Sequence, residues 1–144
     1  MSRLVPPNPQ RLLVDSTVNL ALLDSNDNNH ATARDIQQHL VIVRPRLFTT
    51  NYLFDESYTL IMSHLGRNAA ITFLDDIRAS SFTIVRISEV DEARAEGILR
   101  QYQDKAFSYT DATSFAIMER LQLDSVFAFD RDFEQYGASP LYVV

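Results

Sequence analysis

Three observations predict an α/β chain, a three-layer α/β/α sandwich around a central, mostly parallel sheet of about four to five strands. Short apolar runs alternate with segments of helical period along the 144 residues. Those runs are continuously apolar rather than alternating, the pattern of strands covered on both faces. Hydrophobic residues make up 46% of the chain, enough for one buried core.

Leu12 to Asp15 is the first apolar run and reads as a buried strand. Thr17 to Leu23 reads as a helix, and the polar cluster Asp24 to Asn29 as a loop. His30 to Leu40 is helix-compatible, with Ala33, Ile36 and Leu40 on one face. Pro45 breaks the chain before a short strand at Leu47 to Thr49. Asn51 to Leu65 is a helix with Leu53, Leu60, Ile61 and Leu65 as its apolar stripe, and Gly66 stops it. Asn68 to Ala79 is a further amphipathic helix, using Ala70, Ile71, Leu74 and Ile77.

Phe82 to Ile87 is rich in β-branched residues and reads as a strand. Ser88-Glu89-Val90-Asp91 has capping-box spacing and opens a helix that runs to about Tyr102. Thr110 to Gln122 is the next helix, Val126 to Phe129 the next strand, and Leu141 to Val144 a last strand after Pro140. No internal repeat or low-complexity segment interrupts this order. Residues 1–10, with Pro6, Pro7 and Pro9, read as an extended N-terminal arm, and 11–144 as a single domain.

Composition narrows the function. Cysteine is absent, which excludes disulfides, thiolate metal sites and cysteine nucleophiles and fits a reducing, cytoplasmic setting. No apolar run approaches the roughly 18 residues that span a bilayer, so no membrane role is expected. The net charge is −6, the opposite of a general nucleic-acid binder's broad basic footprint. Nucleic acid would have to be met through a local basic rim, a bound cation or a dimer groove. Gly66, Gly97 and Gly137 form no phosphate-cradling loop. His30, His39 and His64 lack zinc spacing and read as surface residues.

The acids are more informative. Asp15 follows an apolar strand, and in open parallel sheets ligands bind beyond the carboxyl ends of the strands. Asp130 has the same setting after Val126-Phe127-Ala128-Phe129. Each would equally serve to cap the following helix or turn. Glu56 lies on the same helix face as Leu53 and Leu60, where an acid is costly to bury without a partner. Asp55 falls with Asn51, Tyr52 and Thr59 instead, so Glu56 is the preferred functional acid. Asp111 closes Ser108-Tyr109-Thr110-Asp111, a capping box, and position alone favours that structural role. Acids from four separate segments would suit a hard cation, Mg²⁺ or Mn²⁺.

These residues together resemble the PIN domain family, and most closely its bacterial VapC-type toxins. The resemblance runs from about Leu12 to Val144. It is carried by Val14-Asp15-Ser16-Thr17-Val18, by Thr50-Asn51-Tyr52 to Asp55-Glu56, by Tyr109-Thr110-Asp111-Ala112-Thr113-Ser114-Phe115-Ala116, and by Phe129-Asp130-Arg131-Asp132-Phe133. It implies a PIN-like sandwich and a Mg²⁺- or Mn²⁺-dependent endoribonuclease acting on single-stranded RNA, the toxin of a type II toxin-antitoxin pair. By resemblance Asp15, Glu56, Asp111 and Asp130 are the catalytic, metal-holding acids, with Asp132 as a substitute for Asp130 and Ser16 or Thr17 as support. It also implies a homodimer and a VapB-type antitoxin whose Arg-bearing tail masks the acidic site. Asn19 stands where the family usually has a bulky apolar residue. A catalytically silent PIN-like module that binds RNA or protein is the alternative reading, and a DNA nuclease using the same acids is a third.

Overall fold

A computed structural model describes residues 9–138. Its strands β1 (Arg11–Val14), β2 (Arg46–Thr50), β3 (Thr83–Val85) and β4 (Ser125–Phe127) form one sheet in the order β3-β2-β1-β4. Every neighbouring pair is parallel. The helices are α1 (Ser16–Leu23), α2 (His30–Val43), α3 (Asn51–Leu65), α4 (Arg67–Ala79), α5 (Glu89–Gln101), α6 (Tyr109–Leu121) and α7 (Asp132–Tyr136). The strand expected at Leu141 to Val144 lies outside the described residues, as does all of the expected N-terminal arm except Pro9 and Gln10.

The strands sort their side chains by the two-residue period of extended backbone. Leu12, Val14 and Phe127 meet Val18 and Ala21 of α1 and Ala33, Ile36 and Leu40 of α2. Leu13, Phe48 and Val126 face the other way and meet Ile98 of α5 and Phe115, Ile117 and Met118 of α6. Continuous apolar runs are therefore what a sheet clad on both faces requires.

Element ends differ from the sequence expectations for local reasons. The sheet stops at Phe127 rather than Phe129 because its neighbour β1 ends in the same register, Val14 opposite Phe127. β3 is shorter than Phe82 to Ile87 because β2 ends at Thr50, opposite Val85. Helix α2 continues past Leu40 to Val43 and ends where Arg44 turns left-handed, with φ 56°, just before Pro45, which disfavours helical backbone there. Gly66, with φ 94°, ends α3 and begins α4, a turn that needs a residue without Cβ.

The stripe of α3 also differs. Leu53, Ser57 and Ile61 are its buried residues, and Leu65 is exposed. Ser57 is buried because Asn19 of α1 donates its amide to Ser57 Oγ at 3.0 Å. The unusual Asn19 thus has a partner built for it across the α1–α3 contact.

From β1 the chain steps outward to β2 and β3, then returns past β1 to add β4 on its far side. The reversal falls between β1 and β4. In an open parallel sheet, the crevice at the carboxyl ends of those two strands is where the backbone leaves room for a ligand.

Candidate metal centre

Asp15 stands directly after β1, at that crevice, and its amide donates to Phe127 O of β4 at 2.9 Å. It caps α1: its Oδ2 accepts from Thr17 N at 3.4 Å and from Thr17 Oγ1 at 2.7 Å. The side chain is only 3% exposed. Burial pushes its carboxyl up to about 6, with the charges of Glu56 and Asp130 adding to the rise and Thr17 opposing it.

Asp111 occupies the third position of α6 and completes the capping box. Its amide donates to Ser108 Oγ at 3.0 Å, and its Oδ2 accepts from Ser108 N at 3.3 Å. The cap engages one carboxylate oxygen and leaves the other for the crevice. Burial, a hydrogen bond with Asp132 and the charges of Asp130 and Asp15 together push Asp111 up to about 8. The capping role and a ligand role are thus compatible on the same residue.

Asp130 and Asp132 flank a tight turn into α7, where Asp130 Oδ1 accepts from Asp132 N at 2.9 Å. Burial, opposed by that amide and aided by the neighbouring Asp132 carboxyl, holds Asp130 above its ordinary value. What brings this turn to Asp111 is aromatic packing. Phe133 is fully buried edge-on against Phe115 of α6, with ring centres 5.2 Å apart. Tyr136 lies flat on the same Phe115 ring at 4.2 Å. Phe107 closes the cluster edge-on to Phe115 at 5.0 Å. Helix α7 is only five residues long and would not hold alone; these rings anchor it to α6.

As a result, carboxylate oxygens of Asp111, Asp130 and Asp132 lie within 4.8 Å of one another. Asp15 is close enough for its charge to act on Asp111 and to feel Asp130. Glu56 is near enough for its charge to act on Asp15. It accepts a hydrogen bond from Ser16 Oγ, and Ser16 itself is fully buried beside Asp15. No Lys, Arg or His side chain is recorded in an ion pair with Asp15, Glu56, Asp111, Asp130 or Asp132 among the described residues. Crowded carboxylates without a cationic partner carry uncompensated repulsion, which a divalent cation would convert into attraction. Oxygen donors only, several of them anionic, fit Mg²⁺ or Mn²⁺.

The structure revises several sequence expectations. Asp130 and Asp132, the two alternatives for the fourth acid, lie together in one group with Asp111, on either side of an amide-capped turn. Glu56 is half-buried and Asp55 exposed, yet both line one cleft, so the division of the two onto separate faces was too sharp. Ser16 and Thr17, expected as alternatives, act on different acids, Ser16 on Glu56 and Thr17 on Asp15. Among the histidines only His64 is exposed; His30 is half-buried, its Nδ1 2.7 Å from Ala21 O, and His39 is half-buried as well.

Comparison with known proteins supplies an independent frame. The model of the PIN domain family matches residues 12–139. The 23S rRNA-specific endonuclease VapC20 of Mycobacterium tuberculosis is 32% identical over 129 residues, covering 88% of this chain and 94% of that relative. The VapC ribonuclease of Archaeoglobus fulgidus is 31% identical over 114 residues, covering 77% of this chain and 72% of the relative. The crystal structure of Mycobacterium tuberculosis VapC20, described as a Sarcin-Ricin loop cleaving toxin, has a TM-score of 0.82 at 26% identity, with 91% of this chain and 98% of that chain covered.

Proposed function

This chain belongs to the PIN domain family, and from that premise we propose that it is a divalent-metal-dependent endoribonuclease, the toxin of a type II toxin-antitoxin pair. The observation that carries the proposal is the group of unneutralised carboxylates at the β1–β4 crevice, with Asp15 and Asp111 both held well above the ordinary carboxylate range. Asp15, Glu56, Asp111 and Asp130 are the catalytic acids in this reading, and Asp132 joins them as a ligand.

Each residue has a task that its surroundings explain. Thr17 holds Asp15 in one rotamer, and Ser16 does the same for Glu56. Ser108 fixes Asp111 by one oxygen and so aims the other. Helices α1 and α6 begin beside Asp15 and Asp111, and the positive ends of their dipoles favour a phosphate over a neutral group. Asp130, half-buried at the turn into α7, is suited to orient an attacking water by accepting its hydrogen bond. Bound Mg²⁺ or Mn²⁺ would supply charge neutralisation, a lowered pKa for water and stabilisation of the phosphoryl oxygens.

The substrate in this reading is single-stranded RNA. The partner is a VapB-type antitoxin, whose basic segment would complement an acidic crevice on a chain of net charge −6. A homodimer in the cytoplasm completes the proposal; exposed Val41 and Ile42 on α2 are apolar residues that a second copy would cover.

The test is digestion of total RNA by purified protein. Discrete cleavage that requires Mg²⁺ or Mn²⁺, vanishes in EDTA and vanishes in Asp111→Asn supports the proposal. Intact RNA at millimolar metal, with no calorimetric signal on Mn²⁺ addition, would instead indicate a silent binding module.

A further inference from the structure

Beside the acids lies a cleft of about 550 Å³ lined by Asn51, Tyr52, Asp55, Glu56, Thr59 and Thr110 among others. Its volume falls within the range of small-ligand sites. Tyr52 stacks on Tyr109, with ring centres 6.4 Å apart and planes inclined by 25°. Both phenols are tied back to α5: Tyr52 OH donates to Glu92 at 3.1 Å and Tyr109 OH to Glu96 at 2.9 Å. These tethers fix ring orientation without occupying the cleft. Tyr52 precedes Glu56 by one turn of α3, so the two share a helix face. Tyr109 opens α6 just before Asp111 and stays 39% exposed. The ring pair therefore joins the two helix starts that carry Glu56 and Asp111. Holding a metal asks nothing of it.

We propose that this cleft is a nucleobase subsite: it takes one unpaired base of the RNA next to the scissile bond and favours bases that carry an exocyclic amino group. The proposal rests on the ribonuclease reading and adds a specificity determinant to it. Three features choose this occupant. Asp55, an exposed carboxylate outside the acids that would hold the metal, would repel a phosphate, so the sugar-phosphate chain does not fill the cleft. The Tyr52 ring lines the cleft, with Tyr109 stacked against it as support, and offers an aromatic face that every base can stack on but only an unpaired base can reach. Asp55 is exposed and has no recorded hydrogen-bond partner among the described residues. A carboxylate accepts from an amino group such as cytosine N4 and repels the carbonyl that uracil presents at that place.

The experiment uses the shortest RNA fragment that the wild-type protein cleaves, synthesised with cytidine, uridine or an abasic residue at each position flanking the cut. Loss of one base–aromatic stack is worth about 1–3 kcal/mol, or roughly a 5- to 150-fold change. At one flanking position the abasic residue should raise KM by that factor with kcat nearly constant. Tyr52→Leu and Tyr109→Leu should raise KM by a similar factor on the intact fragment and erase the abasic penalty, while Tyr52→Phe should keep it. Asp55→Asn should abolish the preference for cytidine over uridine at the same position.

If the wild type cleaves while no flanking position shows an abasic penalty, or both leucine variants keep the wild-type KM, the subsite is overturned and the ribonuclease reading survives. If the wild type cleaves no RNA, the ribonuclease reading falls and takes the subsite with it. An arginine-rich peptide whose binding needs Tyr52, with KM for RNA unmoved by Tyr52→Leu, would overturn the subsite by assigning the cleft to a protein partner.

Discussion

Asp111 of α6 and Asp132 of α7 hold carboxylate oxygens within 4.8 Å of each other, and burial in that acidic crowd favours a proton on Asp111. The folded protein therefore holds a proton that the unfolded chain, with an ordinary aspartate at 3.8, gives up much earlier.

That difference has a sign. Between pH 3.8 and about 8 the folded state binds more protons at Asp111 than the unfolded state does. Metal-free stability must then fall as pH rises through this window. Thermal melts in EDTA should show a decreasing Tm from the acid end toward pH 8, and excess Mg²⁺ should restore Tm at the alkaline end. A metal-free Tm that rises across the window would contradict the assignment.

Replacing Asp111 by Asn should separate stability from activity. The amide oxygen can still accept from Ser108 N, so the cap of α6 survives. Removing one acid from the cluster should raise the Tm in EDTA at pH 8, by about 2–4 °C for each kcal/mol of repulsion relieved. RNA cleavage should drop to background. A variant that melts lower and also loses far-ultraviolet helicity would mean that Asp111 is chiefly a cap.

Ser16→Ala removes the one hydrogen bond recorded for Glu56. A net hydrogen bond of about 1 kcal/mol corresponds to roughly a 5-fold change in rate if Glu56 is needed in one orientation. The expected result is a roughly 5-fold lower kcat with KM little changed and Tm within about 1–2 °C of wild type. Equal kcat in both proteins would show that Glu56 needs no such positioning.

Away from the crevice, Asp91 is 2% exposed and receives two hydrogen bonds from Arg120, at 2.8 and 3.0 Å. Burial works to raise its pKa, but Arg120 and the Ser88 cap outweigh it and the carboxyl ends below its ordinary value. Arg120→Ala strands that charge between α5 and α6 and should cost about 1–3 kcal/mol in urea titration. The loss should shrink as pH falls and Asp91 becomes protonated, the direction expected for a depressed carboxyl.

Legibility in the sequence followed the kind of force involved. The parallel sheet could be read because Leu12, Leu13 and Val14 must all find apolar cover, and only a sheet clad on both faces provides it. The capping boxes at Ser88 and Ser108 could be read because each is complete within four residues. Strand ends could not, since Phe127 stops where β1 stops, and that partner is more than a hundred residues away. The burial of Ser57 was equally hidden, because it depends on Asn19. Asp15 and Asp130 were recognisable as acids after strands. The approach of Asp130 and Asp132 to Asp111 was not, since it depends on how Phe133 and Tyr136 seat α7 on Phe115.

The acids at the crevice come from positions 15, 56, 111, 130 and 132, which spread the centre over most of the chain. A ribosome making this protein therefore releases Asp15 long before Asp132 exists. A chain that ends before β4 lacks Asp130, Asp132 and the strand that forms one side of the crevice, and so carries only part of the proposed cation site. In the proposed reading, the capacity to hydrolyse RNA would be the last property completed during synthesis, because it waits for the acids that follow β4.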